Sequence, residues 1–138
     1  MDAGNKYSYE ISKYFKCSPE NLFHAFTDKA TLKKIWGLSE ITMDARKGGK
    51  AEAKLQIGNE NWDYTLTYTD FVPHEKLSWE VRFERMPDKV IKAKCSFTKQ
   101  ETGTLLKMRQ WNFENEQEWE LHKASIEKSL QMLEEILI

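Results

Sequence analysis

The chain has 138 residues, with 21 Lys and Arg against 22 Asp and Glu and a formal net charge of −1. That length predicts one domain over residues 1–138, large enough to bury about two-thirds of its unfolded surface without staples. The near-neutral balance supplies no field to recruit nucleic acid or an anionic membrane surface.

Met1 to Lys6 is polar and lacks the apolar stretch of a secretory leader. No apolar run reaches membrane-spanning length, so no membrane insertion and a soluble, cytoplasmic protein are expected. Tyr7 to Phe15 alternates and reads as a strand with Tyr7, Tyr9, Ile11 and Phe15 on one side; Lys13 shares that parity, which snorkelling to a strand end would explain. Ser18-Pro19-Glu20 opens a short helix: Ser caps, and Pro suits a first position whose N–H has no partner anyway. Leu22, Phe23 and Phe26 form its apolar face. Asp28 starts a second short helix through Trp36, and Gly37 stops it.

From residue 39 the period changes to two. Apolar residues alternate with polar ones at Ile41 to Ala45, Ala51 to Ile57, Trp62 to Tyr68, Leu77 to Phe83 and Ile91 to Phe97. This predicts antiparallel strands with one buried and one wet face. Lys47-Gly48-Gly49, Gly58-Asn59, Pro73-His74, Met86-Pro87-Asp88 and Glu101-Thr102-Gly103 mark the turns. The run from Thr104 to Asn112 is ambiguous. Leu106 and Met108 continue the inner parity and aim Gln110 inward, whereas Leu105 and Trp111 take the other side.

The last stretch, Asn115 to Ile138, reads as one long helix. Trp119, Ile126 and Leu133 recur every seven residues, with Leu130 and Leu137 completing the stripe, and Glu116, Glu120, Lys123, Glu127 and Glu134 fall on the far face. Asn115 with Glu118 reads as its capped start. Helices segregated from an antiparallel sheet predict an α+β fold of about seven strands, with the long helix packed across the sheet and the two short helices after the first strand closing one end.

These residues resemble the START-like helix-grip (SRPBCC) superfamily, whose members include lipid-transfer domains and the birch-pollen allergen. Within it, the chain is most similar to the small proteins related to the activator of the heat-shock chaperone ATPase. Ser18-Pro19-Glu20, Phe23, Thr27-Asp28, Leu32 and Trp36-Gly37 fit the family's helix pair, and Gly48-Gly49 its glycine hairpin. Pro73, Glu75-Lys76-Leu77 and Trp79 fit its turn into a strand, and Phe97-Thr98 with Gly103-Thr104 and Leu106 its late hairpin. The pattern departs at Lys29-Ala30, Ile35-Trp36 and Thr69-Asp70-Phe71.

Signatures of enzymes are mostly missing: there is no G-x-S-x-G, G-x-G-x-x-G or P-loop. His24, His74 and His122 have no metal-ligand spacing, so no metal and no cofactor are expected, and Cys17 and Cys95 lack a C-x-x-C spacing, so reduced thiols are expected. Nucleic-acid binding through Lys92 and Lys94 is not expected either, because they alternate with polar residues on a solvated face.

Aromatic residues make up 12% of the chain, more than a core of this size requires. The expectation is a cavity of about 300–1,000 Å³ between sheet and helix. Its walls would be Trp36, Tyr64, Trp79, Phe97, Met108 and Trp119, with Gln110 and His122 as its polar groups. His122 reads either as a hydrogen-bonded structural residue or as a group at the pocket mouth.

The resemblance implies a non-catalytic protein that holds a small hydrophobic or amphipathic molecule. It also implies two alternatives. One is a module that contacts a chaperone protein. The other is an enzyme like the polyketide cyclases and dehydratases, for which only His122, Lys13, Glu10 or Asp70 could supply acid or base.

Overall fold

A computed structural model describes residues 7–137; the readings made on Met1 to Lys6 and on Ile138 lie outside the described residues. In chain order the elements are β1 (Ser8–Phe15), α1 (Pro19–Phe26), α2 (Lys29–Ile35), β2 (Glu40–Met43), β3 (Lys50–Lys54), β4 (Gln56–Ile57) and β5 (Glu60–Asn61). They continue as β6 (Tyr64–Val72), β7 (Lys76–Phe83), β8 (Ile91–Gln100), β9 (Gly103–Trp111) and α3 (Glu116–Leu137). Seven strands form one antiparallel sheet in the order β1-β9-β8-β7-β6-β3-β2, and β4 and β5 form a separate ribbon. This is the helix-grip arrangement that the sequence pattern predicts.

The local signals act where they were read. Ser18 caps α1 by accepting the Asn21 N–H at 3.1 Å, with Pro19 behind it. Asp28 caps α2 by accepting the Thr31 N–H at 3.0 Å and its hydroxyl at 2.7 Å, and these bonds hold the Asp28 carboxyl below its ordinary pKa. Gly37 takes φ +65° and turns the chain out of α2, so that the Leu38 N–H reaches the Lys33 carbonyl at 2.9 Å. Asn115 accepts the Glu118 N–H at 2.9 Å and so caps α3. In the β2–β3 turn a Cβ on Gly49 would collide with the Asp44 carbonyl oxygen, so no larger residue fits there.

The inner face of the sheet carries the core: Phe15, Ile41, Leu66, Leu77, Cys95, Leu106 and Met108 are all buried. Helix α1 lies on β8 and β9, where Phe23 and Phe26 meet the Phe97 ring edge-on at 5.4 and 5.8 Å. Helix α3 packs on α2 and β1. Ile126, Leu130 and Leu133 face inward, while Glu120 and Glu127 are exposed. The ambiguous run resolves into β9, with Leu106, Met108 and Gln110 paired opposite the inward residues of β1 and β8.

One strand departs from the expected pattern. The alternation from Ala51 to Ile57 predicts Ile57 on the inner face, yet Ile57 is 56% exposed. The strand ends at Lys54, where the Trp62 N–H bonds to the Leu55 carbonyl at 2.7 Å and the Asp63 carboxylate accepts the Leu55 N–H at 3.3 Å. These bonds roll the chain into the short β4–β5 ribbon, whose tip turns on Gly58 at φ +62°. Ile57 therefore leaves the sheet plane with the ribbon.

Candidate functional site

Helix α3 presents His122, Ser125, Ile126 and Ser129 to the inner face of the sheet, at the i, i+3, i+4, i+7 positions of one stripe. Opposite them stand Tyr64 and Leu66 of β6, Trp79 and Val81 of β7, and Gln110 of β9. Trp36, at the end of α2, closes the side, its ring 6.1 Å from that of Trp79. Between them lies a cavity of about 130 Å³. It is smaller than the void of about 300–1,000 Å³ that the sequence pattern suggested.

Towards the N-terminus of α3 the gap widens into a groove of about 560 Å³. The groove shares Leu55, Phe83, His122 and Ser125 with the inner cavity, so the two meet along one wall. Its rim includes Ile57 and Leu121, two of the few large apolar residues that are strongly exposed, at 56% and 65%. Trp62 and Met86 line it as well; Trp62 packs edge-on to Phe83 and carries the Arg85 guanidinium at 5.0 Å from its ring.

The polar groups of this gap are unevenly satisfied. Ser129 is buried, and its hydroxyl is shared between the carbonyls of Ile35 at 2.8 Å and Ser125 at 3.0 Å. The Gln110 carbonyl oxygen accepts the Tyr9 hydroxyl at 2.6 Å, which leaves its amide nitrogen with only the Met108 sulfur at 4.0 Å. Among the described residues, the Tyr64 hydroxyl and the Trp79 indole N–H have no hydrogen-bond partner. Burial pushes the Tyr64 phenol well above its ordinary pKa.

His122 packs against two rings, 4.9 Å from Phe113 and 6.1 Å from Phe83 between centroids, and has no hydrogen-bond partner among the described residues. Burial lowers its pKa, Glu118 opposes that shift and Lys89 reinforces it, so the imidazole is kept neutral near pH 7. Elsewhere on β6, Tyr68 is fully buried, its hydroxyl has no hydrogen-bond partner among the described residues, and burial pushes its pKa up to about 12.

Of the eight residues singled out from the sequence, Trp36, Tyr64, Trp79, Gln110 and His122 converge on this cavity. Three stand elsewhere. Phe97 is covered by α1, and Met108 is fully buried in the sheet core. Trp119 donates its indole N–H to the Ser8 carbonyl at 2.7 Å and lies under Lys123, which fastens the start of α3 to β1.

Lys13 pairs with Glu134 at 3.4 Å across β1 and α3, while Glu10 and Asp70 are exposed. Ser125 and Ser129 were not singled out, although their spacing from His122 carries the signal. Leu55 and Phe83 had only the inward parity of their strands to mark them, and Leu121 had no signal beyond apolarity.

The family model described as "Activator of Hsp90 ATPase homolog 1-like protein" matches residues 16–137. The chain belongs to this family. Solved structures share its helix-grip fold. A protein from Rhizobium loti is 22% identical, with a TM-score of 0.78, covering 92% of this chain and 94% of that one. The Aha1 dimer from Colwellia psychrerythraea is 20% identical, with a TM-score of 0.75, covering 94% and 95%. An HSP90 activator from Plasmodium falciparum is 24% identical, with a TM-score of 0.65, covering 79% and 75%. No curated protein matches the chain. Among the described residues no helix is long and apolar enough to cross a membrane.

Proposed function

We propose that this member of the family is a non-catalytic, cytoplasmic, single-domain protein that holds a small amphipathic molecule between the sheet and α3. One observation carries the reading: polar groups without partners face a cavity that opens onto an apolar groove rimmed by exposed Leu121 and Ile57. Polar groups without protein partners in so apolar a gap need water or a ligand to supply what they lack. The groove volume falls within the usual span of small-molecule sites, about 300–1,000 Å³. Trp36, Tyr64, Trp79, Gln110 and His122 would line the inner end, and Trp62, Met86 and Leu121 would cover the apolar body.

The family description and the Plasmodium neighbour favour a second reading, in which the chain contacts a heat-shock chaperone through its surface. Two measurements separate the two. Indole fluorescence is titrated with a panel of lipids and aromatics, and the ATPase rate of a purified Hsp90-type chaperone is followed with and without the protein. Saturable emission changes that are lost in Trp79→Phe and Leu121→Asp, with an unmoved ATPase rate, support the pocket. A flat emission across the panel together with a stimulated ATPase replaces it with the surface reading.

A further inference from the structure

The charges and donors around the gap carry the binding reading one step further, to the class of molecule it takes. Among the described residues no Lys or Arg lines either the cavity or the groove. The charged residues of the lining are Glu114 and Glu118 at the groove rim. Of the cations close by, Lys89 is spent on those same two carboxylates at 3.8 and 3.4 Å. Arg85, which lies over the Trp62 ring, is spent on the Glu60 carboxylate at 3.1 Å and the Asn61 carbonyl at 2.7 Å. An anionic head entering here would pass two carboxylates and end among uncharged groups, and a buried charge without a partner is strongly disfavoured.

The inner end is also unbalanced in hydrogen bonding. The Trp79 indole offers only a donor, and the Gln110 amide has its oxygen taken by Tyr9 while its nitrogen has only the weak acceptor sulfur of Met108 at 4.0 Å. The Tyr64 hydroxyl can donate as well. The Ser129 proton is already committed to backbone carbonyls. Trp79 and the Gln110 amide nitrogen are thus left as donors only, while Tyr64, His122 and Ser125 can each donate or accept. From this we infer that the molecule held in the gap is uncharged, with an apolar body in the groove and a hydrogen-bond acceptor, a carbonyl or ether oxygen, at its buried end. Free fatty acids and other carboxylates fall outside this class.

The inference rests on the binding reading above, and a matched series tests the two separately. Calorimetric titration of the full chain at pH 7.5 uses one skeleton with four substituents: acetylnaphthalene, ethylnaphthalene, naphthoate and naphthylmethylammonium. Acetylnaphthalene is expected to bind more than about tenfold tighter than naphthoate, and roughly three- to tenfold tighter than ethylnaphthalene, the worth of a hydrogen bond or two.

That second ratio should shrink in Trp79→Phe, which keeps a ring and removes the N–H, and in Gln110→Leu. Naphthoate or the ammonium binding as tightly as the ketone overturns the uncharged class while leaving a binding pocket in place. Ethylnaphthalene matching the ketone overturns the acceptor end. Binding by none of the four overturns this inference and the binding reading together.

Discussion

Ser129 tests how the helices grip one another. Its hydroxyl sits in the seam between α2 and α3, where it bonds the Ile35 carbonyl at 2.8 Å and lies 3.0 Å from the Ser125 carbonyl. Ile35 ends α2, so its carbonyl has no partner within that helix, and among the described residues Ser129 is its partner. Ser129→Ala removes few contacts but strands that carbonyl in a buried place. The expected cost is the desolvation penalty of a lone acceptor, about 1–3 kcal/mol. For a chain of this size each kcal/mol lowers Tm by roughly 3–5 °C.

Urea unfolding followed by far-ultraviolet circular dichroism reads the change. The exposed neighbour Lys128→Ala serves as a control, expected to stay within about 0.5 kcal/mol of the parent. A Ser129→Ala protein as stable as that control would refute the reasoning, because it would mean that the Ile35 carbonyl finds water or another donor at no cost.

Other consequences follow from the same packing. Leu133 is fully buried, so Leu133→Ala should lose about 3–5 kcal/mol in the same urea assay, and a loss below about 1 kcal/mol would argue against α3 lying on the core. His122 has its folded-state pKa lowered by burial, so near that value and up to about 6.5 the unfolded chain binds more protons than the folded one. Its share of stability is therefore complete above about pH 7 and is lost as pH falls from ~6.5 towards the folded pKa. His122→Phe should fall less in urea midpoint between pH 7.5 and 5.5 than the parent does, and an equal fall would place the imidazole in solvent.

The fold was legible because it rests on local rules. Caps at Ser18, Asp28 and Asn115 act through side chains within three residues, and the alternation in β6 to β9 reports burial of one face directly. The site was half legible for a related reason. Parity tells which face of a strand a residue takes but not where along that face the helices come to rest. Phe97 and Trp79 share one face, yet α1 covers the first while the second borders the gap. The volume of the gap depends on how closely the start of α3 approaches the sheet. Trp119 helps to set that distance through a bond to Ser8, more than a hundred residues away in sequence. Ile57 was misplaced because a two-residue ribbon leaves the sheet through a side-chain bond from Asp63, a contact that alternation does not encode.

The central claim, a ligand seated between sheet and helix, is tested most directly by amide and indole chemical-shift mapping of the protein with acetylnaphthalene. The account predicts saturable shifts clustered at the Trp79 indole N–H, the Gln110 side-chain amide, His122 and Ser125, with Leu121 following at the rim. Shifts confined to the outer face of the sheet around Lys94 and Lys107, or no shifts at all, would contradict it.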